Sequence, residues 1–527
     1  MHKAFDLWKV GLVVALLVGA AMVPLVQSQQ ARVLTIAFDA ADLKTLDPHL
    51  AAATMDRAVA DMVFNGLVRY KPGDITVFEP DLAESRQVNG NVWTFKLRKG
   101  VMCHPWGGNP GYELTSEDVV YSLQKAADPA RSAYAGEYTG MTFEAVDPYT
   151  VKITLPSALS EALMLPKVAD YAGGFIVCKR AVEALGDDAF KTNPVGTGPF
   201  MFQSYSPMEK VILVKNPSYF RGAPKLDTVV VRYMSDVTAR EAGLETGELD
   251  VIEGRPEQPW VEKMEKKPST VVDTFGPGET VVIHWNMTKK PFDDIRVRWA
   301  LDYCLSREEL VTAIGPAIAE PLCAPVPPVL AGGMTCDEVG ALRYDQDIVA
   351  AKALLAQAGY PNGFDAGEVV ISERAEYLIP MQNIQAQLAE CGVEITLKVV
   401  DHSSMHTLIR QDVNPMVLYV AWRPNADVFL TRFYHSASIV VTGAKPDTNF
   451  SHIDSVDYWI EAARSELDPT KQIAHWKAAQ STILALNAAY PFYIKKFVFA
   501  RKPNVNYGYT LLSSLNLYPP INELTSK

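Results

Sequence analysis

The stretch NPVGTGPF, Asn193 to Phe200, places two prolines and two glycines within eight residues. A phosphate loop of the Walker type needs a Lys-Ser or Lys-Thr pair after its second glycine, but Pro199 and Phe200 follow Gly198. A dinucleotide loop needs a further glycine where this chain has Met201. Because proline fixes φ and glycine permits φ > 0, the stretch predicts a rigid turn and not an anion site.

The turn separates two kinds of pattern. Before it, VWTFKLRKGV (92–101) and YTVKITLP (149–156) alternate like half-exposed strands, and LTSEDVVYSLQKAADP (114–129) predicts a helix that starts with a Thr115–Asp118 capping box. This predicts an α+β block over about 50–195. After the turn, TVVVRYM, a helix and TGELDVIE form a strand–helix–strand unit typical of a parallel crossover.

Two later helices extend the second pattern. DIVAAKALLAQAG (347–359) and IPMQNIQAQLAECG (379–392) both end at a glycine, and the strand VEITLKVV follows the second directly. Helix, glycine and strand in this order indicate an open α/β sheet. The turn therefore joins an α+β block to an α/β block.

Composition sets outer limits on function. A chain of 527 residues predicts two or three domains, and 48% hydrophobic with 21% charged residues is ordinary for a globular protein. The net charge of −12 argues against a nucleic-acid partner, which would call for a basic face.

The N-terminus has the pattern of a cleaved signal peptide over residues 1–28. Lys3 and Lys9 precede an apolar run from Val10 to Val23, and Val26 and Ser28 occupy the −3 and −1 positions. A membrane anchor is the alternative, but the run is short for a span of about 20 residues. No Cys lies near the cleavage site to accept a lipid. We expect an exported protein.

Export permits disulfides among the six cysteines. Cys323 and Cys336 flank a Pro/Gly-rich loop, and we predict that they are bonded. Cys103 with Cys178 is a weaker candidate pair, because nothing in the sequence brings them together. Cys304 and Cys391 lie in apolar helical patterns, which predicts small core residues.

Several stretches, in order, resemble the family-5 extracellular solute-binding proteins, the dipeptide- and oligopeptide-binding components of ABC importers. They are TLDP (45–48), NGLVRY (65–70), EPDLAES (79–85), WTFKLRKGV (93–101), LTSEDVVYSL (114–123), NPVGTGPF, VKNPSYF (214–220), TGELDVI (246–252) and NMTKKPFDDIRVRWAL (286–301). The resemblance implies an α/β fold of two lobes (periplasmic-binding-protein type II) joined by a hinge. Residues 29–275 would form lobe I, with an extra α+β subdomain at about 50–195. Residues 278–490 would form lobe II, and residues 491–527 would return to lobe I.

The resemblance also implies a function. The chain would be a monomeric periplasmic receptor that binds a small peptide or peptide-like solute between its lobes. It would deliver the solute to an inner-membrane ABC permease, with no cofactor and no catalysis. The alternatives are a receptor for a non-peptide solute (an oligosaccharide, an opine or a metal chelate) and a secreted hydrolase.

The predicted ligand site is AWRPNAD, Ala421 to Asp427. Peptide-binding members of the family commonly carry Trp-x-x-Asp here, where the Asp pairs with the α-amino group of the peptide. This chain has Asn425 at that position, and an amide cannot form the ion pair. We expect Trp422 to line the pocket, with Arg423, Asn425 and Asp427 as a polar cluster, and Asp427 to take over the ammonium group.

Enzyme signals are weak. The sequence has no GxSxG and no HExxH motif. His402 and His406 have the i, i+4 spacing of a metal pair, but without a third ligand we interpret them as an exposed helical face. Asp293 and Asp294 precede a helical pattern, which predicts helix capping and not acid–base catalysis.

Overall fold

The computed structural model describes residues 31–527. The signal peptide predicted for residues 1–28 lies outside the described residues. Across residues 31–527, none of the helices has the length and the apolar composition that crossing a bilayer requires.

Strands and helices alternate along the described chain. The strands are β1 Val33–Phe38, β2 Val68–Lys71, β3 Asp74–Pro80, β4 Ala83–Asn89, β5 Val92–Leu97, β6 Thr142–Asp147, β7 Thr150–Thr154, β8 Phe200–Ser206, β9 Lys210–Lys215, β10 Thr228–Tyr233, β11 Val251–Glu253, β12 Val271–Trp285, β13 Ala319–Pro321, β14 Phe364–Ser372, β15 Val393–Val400, β16 Met416–Ala421 and β17 Ala489–Arg501. The α-helices are α1 Thr54–Val63, α2 Ser116–Ala127, α3 Glu161–Met164, α4 Lys179–Leu185, α5 Asp187–Phe190, α6 Val237–Thr246, α7 Gln258–Glu265, α8 Ile295–Cys304, α9 Arg307–Ile314, α10 Cys336–Val339, α11 Ile348–Gln357, α12 Ala375–Glu390, α13 His402–Ile409, α14 Ala426–Tyr434, α15 Asp457–Ser465 and α16 Pro469–Ala485.

The largest sheet runs through the middle of the fold. Its strand order is β16-β12-β17-β11-β1-β10-β9-β8, and β13 also pairs with β17. β1 is parallel to both β10 and β11, so the strand–helix–strand unit β10-α6-β11 is the parallel crossover predicted from the sequence. β14 and β15 form a separate parallel pair, which confirms the second α/β pattern.

The block at 50–195 has the predicted α+β character. A four-stranded antiparallel sheet in the order β4-β5-β7-β6 carries α2 on the chain between β5 and β6. In β5, Trp93, Phe95 and Leu97 are buried, which is the face that the alternation predicts. α2 begins with the predicted capping box of Thr115 and Asp118.

The turn at 193–200 is rigid for a reason that the sequence did not reveal. Neither Gly196 nor Gly198 is among the described glycines with positive φ. Instead both pass close to the end of α1: the Gly198 N–H donates to the Val63 carbonyl at 2.8 Å, and a Cβ on Gly198 would lie 2.5 Å from the Val63 carbonyl carbon. His104 secures the turn by donating its backbone N–H to the Gly196 carbonyl at 2.8 Å. The glycines are needed for close approach of two backbones.

The fold contains two large hydrophobic cores. The first is built mainly from residues between 34 and 233 together with residues 499–521, and includes Phe64 and Trp93. The second is built mainly from residues between 281 and 494, and includes Trp285 and Trp476. We call the parts around them the first lobe and the second lobe.

Two long antiparallel strands connect the lobes. β12 and β17 pair from Val271–Arg501 to His284–Ala489, with a break in register between Phe275 and Glu279. The break lies where the chain is expected to pass from the first lobe to the second, between residues 275 and 278. β17 includes residues 490 and 491, where the chain is expected to return. The exact lobe boundaries, 275, 278 and 490, stay predictions.

Three disulfides join the six cysteines. Cys323–Cys336 is bonded as predicted, with an S–S distance of 2.00 Å, and Cys103–Cys178, the weaker candidate, is bonded at 2.01 Å. The interpretation of Cys304 and Cys391 as unbonded core residues was wrong: both are buried, but they form the third disulfide. Their separation of 87 residues explains why local patterns showed only burial.

Candidate functional site

The predicted site lies where β16 ends and α14 begins. All six residues of β16 are buried, and the chain leaves the sheet at Trp422. Trp422 meets Tyr171, with ring centroids 6.2 Å apart and ring planes at 64°. Tyr171 lies on the chain between Ala169 and Phe175 of the first core, but its ring packs on the second core, as the Trp422 ring does. The two rings therefore meet where the chain of the first lobe reaches the second lobe.

Trp422 is partly buried, and its indole Nε1 is enclosed without a hydrogen-bond partner among residues 31–527. A tryptophan in this position can present an apolar ring face to a solute.

The Arg423 side chain folds back on its own backbone and packs within the second lobe. Its Nη1 donates to the Trp422 carbonyl at 2.7 Å, and the guanidinium carbon lies 4.9 Å from the centre of the Phe433 ring. Nε is enclosed and unpaired within the described chain. Burial lowers the pKa of Arg423, with a further lowering from nearby Arg432.

Asn425 and Asp427 have partners within the protein. The Asn425 side chain caps α14 by accepting from the Val428 N–H at 2.9 Å. Asp427 forms an ion pair with Arg464 on α15 at 3.2 Å, and burial raises the pKa of its carboxyl group. The expected polar cluster of Arg423, Asn425 and Asp427 is therefore not what the structure shows, because the three side chains diverge to different partners.

A hollow of about 370 Å³ adjoins this segment. Pro424 and Asn425 line it from the second lobe, and Phe78 and Leu165 line it from the side of the first core. Its size is within the range of small-molecule sites, roughly 300–1,000 Å³.

The histidine pair lies beside the same strand ends. The Nε2 atoms of His402 and His406 are 3.1 Å apart, and both side chains are partly buried, not on an exposed face as expected. Burial, then His402, then Arg410 lower the pKa of His406 to about 4, so it is neutral at pH 7. No group of three or more His, Cys, Asp or Glu side chains suited to a metal occurs within residues 31–527.

Sequence reasoning missed Tyr171, Arg410 and Tyr419. The Tyr419 ring lies 5.7 Å from the His406 ring, and its hydroxyl accepts from Arg410 Nη2 at 3.2 Å. Arg410 follows His406 at i, i+4, a spacing that was visible in the sequence. Nothing local signalled Tyr171, because it comes from the other lobe. The predicted capping role of Asp294 is confirmed: it accepts from the Arg296 N–H at the start of α8.

The family model for bacterial extracellular solute-binding proteins, family 5 (middle region), matches residues 77–439. This chain belongs to that family. The match covers more than half of the chain and includes the turn at 193–200 and the segment 421–427.

Curated relatives of this family-5 protein include glutathione-binding proteins. GsiB from Shigella dysenteriae serotype 1 (strain Sd197) is 28% identical over 473 residues, covering 88% of this chain and 89% of that protein. GsiB from Escherichia coli (strain K12) is 28% identical over 474 residues, with the same coverage of both chains.

Solved structures show the same two-lobed α/β fold, that of the type II periplasmic binding proteins. MoaA from A. tumefacien R10, in complex with mannopinic acid, is 40% identical with a TM-score of 0.74, covering 94% of this chain and 99% of that chain. HbpA2 from Haemophilus parasuis is 26% identical with a TM-score of 0.82, covering 94% and 100%. DppA from Helicobacter pylori, in complex with the peptide STSA, is 27% identical with a TM-score of 0.72, covering 94% and 98%.

Proposed function

We propose that this family-5 protein is a periplasmic receptor that binds a small peptide or peptide-like solute between its lobes and delivers it to an ABC permease. The observation that carries the proposal is the contact between Trp422 and Tyr171, one ring from the chain of each lobe. A solute that contacts both rings binds the closed state better than the open state, and so drives closure.

The hinge is assigned to β12 and β17. Within residues 31–527, these two long strands pair along their lengths from the first lobe into the second, and their register breaks between Phe275 and Glu279. A break in a ladder is a place where two strands can bend with little loss of hydrogen bonding. We assign signal-peptide cleavage, a monomeric state and the absence of catalysis as further parts of this proposal.

The ligand class follows from the relatives and from the site. Relatives with matched coverage bind glutathione, the peptide STSA and mannopinic acid, according to their names. A peptide or peptide-like solute is common to most of these, and an opine is the alternative that the MoaA likeness motivates. Mass spectrometry of solute released from purified protein separates the two.

Trp422→Ala tests the location of the site. Binding should change tryptophan fluorescence, and ligand at 100 times Kd should stabilise the protein by about 2.7 kcal/mol. The variant should lose most of this stabilisation and keep the melting temperature of the unliganded protein. Trp459→Ala, at a partly buried tryptophan of α15, is the matched control. If Trp422→Ala melts early and binds normally, Trp422 is a core residue and the site is elsewhere.

Asp427→Asn tests the proposed ammonium contact. One peptide is titrated in free and N-acetylated form against wild type and variant. If Asp427 binds the ammonium while it is paired with Arg464, the variant should lose about 2–5 kcal/mol of affinity for the free peptide only. Equal affinity in all four combinations rejects this role. Recovering labelled peptides intact after incubation with the protein distinguishes a receptor from a secreted hydrolase.

A further inference from the structure

His402 and His406 present ring nitrogens to each other on the second lobe. Both belong to α13, one turn apart, and their Nε2 atoms are 3.1 Å apart with the ring planes at 78°. Both side chains are partly exposed, so a small ion can reach them from solution. Neither histidine lines the hollow beside Pro424 and Asn425. The proposed solute site therefore does not account for the pair.

The distance between the two Nε2 atoms fits two ligands of one metal ion. Zinc binds an imidazole nitrogen at about 2.0–2.1 Å, so two nitrogens at an angle of about 90–109° on one ion lie about 2.9–3.3 Å apart. Two histidines at i, i+4 on one helix face are also the arrangement that many zinc enzymes use. A hydrogen bond between the rings has the same length, so the groups that orient each ring distinguish the two interpretations.

The His402 ring is oriented as a metal ligand requires. Its Nδ1 lies 3.1 Å from Ser372 Oγ, and this buried hydroxyl donates to Glu373 Oε2 at 3.1 Å. Ser372 Oγ can therefore accept a hydrogen bond from His402 Nδ1–H, which leaves the Nε2 lone pair for an ion. Metal-bound histidines almost always donate their second ring N–H to a neighbouring acceptor in this way.

His406 has a neighbour that opposes a metal ion. Arg410 Nη1 donates to His406 Nδ1 at 3.3 Å, which places the ring proton of neutral His406 on Nε2. An ion at Nε2 needs the other tautomer, with the proton on Nδ1, so Arg410 must move away. Arg410 is an exposed residue and has room to do so. It therefore lowers the affinity for an ion without being a ligand.

We propose that His402 and His406 bind one divalent transition-metal ion through their Nε2 atoms. Imidazole favours Cu²⁺, Ni²⁺ and Zn²⁺, whereas Mg²⁺ and Ca²⁺ prefer oxygen ligands. Within residues 31–527 no group of three or more His, Cys, Asp or Glu side chains suited to a metal occurs, so the ion keeps open positions for water or for a small chelating molecule. This metal site goes beyond the proposed function and does not depend on it.

The test titrates Cu²⁺, Ni²⁺ and Zn²⁺ into untagged protein that a chelator has freed of metal. Isothermal titration should show one site that binds Cu²⁺ most tightly. His402→Gln and His406→Gln should each weaken it at least about tenfold, the lower end of what changes outside the ligands alone cost a metal site. Arg410→Met should bind the ion more tightly than wild type, because a neighbouring positive charge is removed. The matched control is His475→Gln, at a partly exposed histidine of α16 that packs on Trp459, and it should bind like wild type.

Copper spectroscopy separates loss of the site from a folding defect. The electron paramagnetic resonance spectrum of bound Cu²⁺ should show two nitrogen ligands in wild type and one in either histidine variant, with unchanged circular dichroism. The proposal is overturned if wild type binds no more tightly than the double variant His402→Gln/His406→Gln, if only one histidine affects binding, or if the wild-type spectrum lacks nitrogen ligands. None of these outcomes bears on the peptide receptor, because the titrations contain no solute.

Discussion

Lys125 in the first lobe and Arg423 in the second are both removed from water, but only Lys125 has a carboxylate beside it. Lys125 Nζ lies 2.7 Å from Asp47 Oδ2, and each side chain is 1% exposed. Arg423 has a carbonyl and an aromatic ring, with no ion pair in the described chain. The fold balances the first charge with a carboxylate and leaves the second without one. Because a buried charge costs stability unless it is paired, the two cations should respond differently to substitution.

Breaking the Lys125–Asp47 pair should give the largest loss of stability. Lys125→Met leaves the Asp47 carboxylate buried without a counter-ion, and should lower the free energy of unfolding by about 3–5 kcal/mol. Urea unfolding measures the loss. The double variant Asp47→Asn/Lys125→Met should be more stable than either single variant. Lys191→Met, in an exposed pair with Asp188, should show no measurable change.

The Lys125–Asp47 pair also shows where sequence reasoning ends. TLDP and the helix LTSEDVVYSL were both recognised, and the helix α2 lies where its pattern predicts. The 78 residues that separate Asp47 from Lys125 carry no local sign that they meet. Periodicity and capping act over a few residues and therefore fix strands and helices, but long-range partners depend on the whole fold.

The same limitation, that long-range partners leave no local sign, applies to the predicted ligand site at residues 421–427. Trp422 was expected to line the pocket, and that role stays a prediction. The sequence did not predict where the Asn425 and Asp427 side chains point. Asn425 is oriented by the start of α14, and Asp427 by Arg464, which is 37 residues away. Gly198 was recognised as special, but the reason, contact with Val63, is again long-range.

Asp302 shows a third way to accommodate a buried ionisable group, because this acid takes up a proton and becomes neutral. Burial raises its pKa to about 8, against the opposing effects of Trp285 and Arg307. Asn487 Nδ2 donates to Asp302 Oδ2 at 2.7 Å, while Asn487 Oδ1 is buried and unpaired in the described chain. With the amide turned over, Asn487 Oδ1 would accept a hydrogen bond from the protonated Asp302 carboxyl group. The folded state therefore holds a proton that the unfolded state releases above its ordinary pKa near 4.

Asp302→Asn should flatten the pH dependence of stability. Because the folded pKa is raised, the stabilisation from Asp302 is complete below pH 4 and is lost as pH rises towards 8. Between pH 5 and pH 7 the wild-type protein should lose about 2.5 kcal/mol more than the variant. Urea unfolding at both pH values gives the comparison. Identical slopes in both proteins would show that Asp302 is ionised and paired, like Asp47.

Asp427→Asn should have a smaller effect on stability. Its partner Arg464 has a side chain that is 40% exposed, so solvent screens the pair. Arg464 also keeps its hydrogen bond to Thr431 Oγ1 at 2.6 Å when the carboxylate is lost. We expect a loss of about 1 kcal/mol, at the upper end for exposed pairs. Arg464→Met should lose a similar amount, and the double variant little more. A loss as large as that of Lys125→Met would place Asp427 among the structural charges.

Arg423→Met should change the free energy of unfolding of the unliganded protein least. It is the direct counterpart of Lys125→Met, because each variant removes one buried cation. The substitution strands no carboxylate, and it removes a charge whose burial is uncompensated. Methionine fills much of the same volume and can still pack on Phe433. The free energy of unfolding should therefore stay within about 0.5 kcal/mol of wild type, or rise. Large destabilisation would mean that Arg423 holds the second lobe together, and the contrast between the two buried cations would disappear.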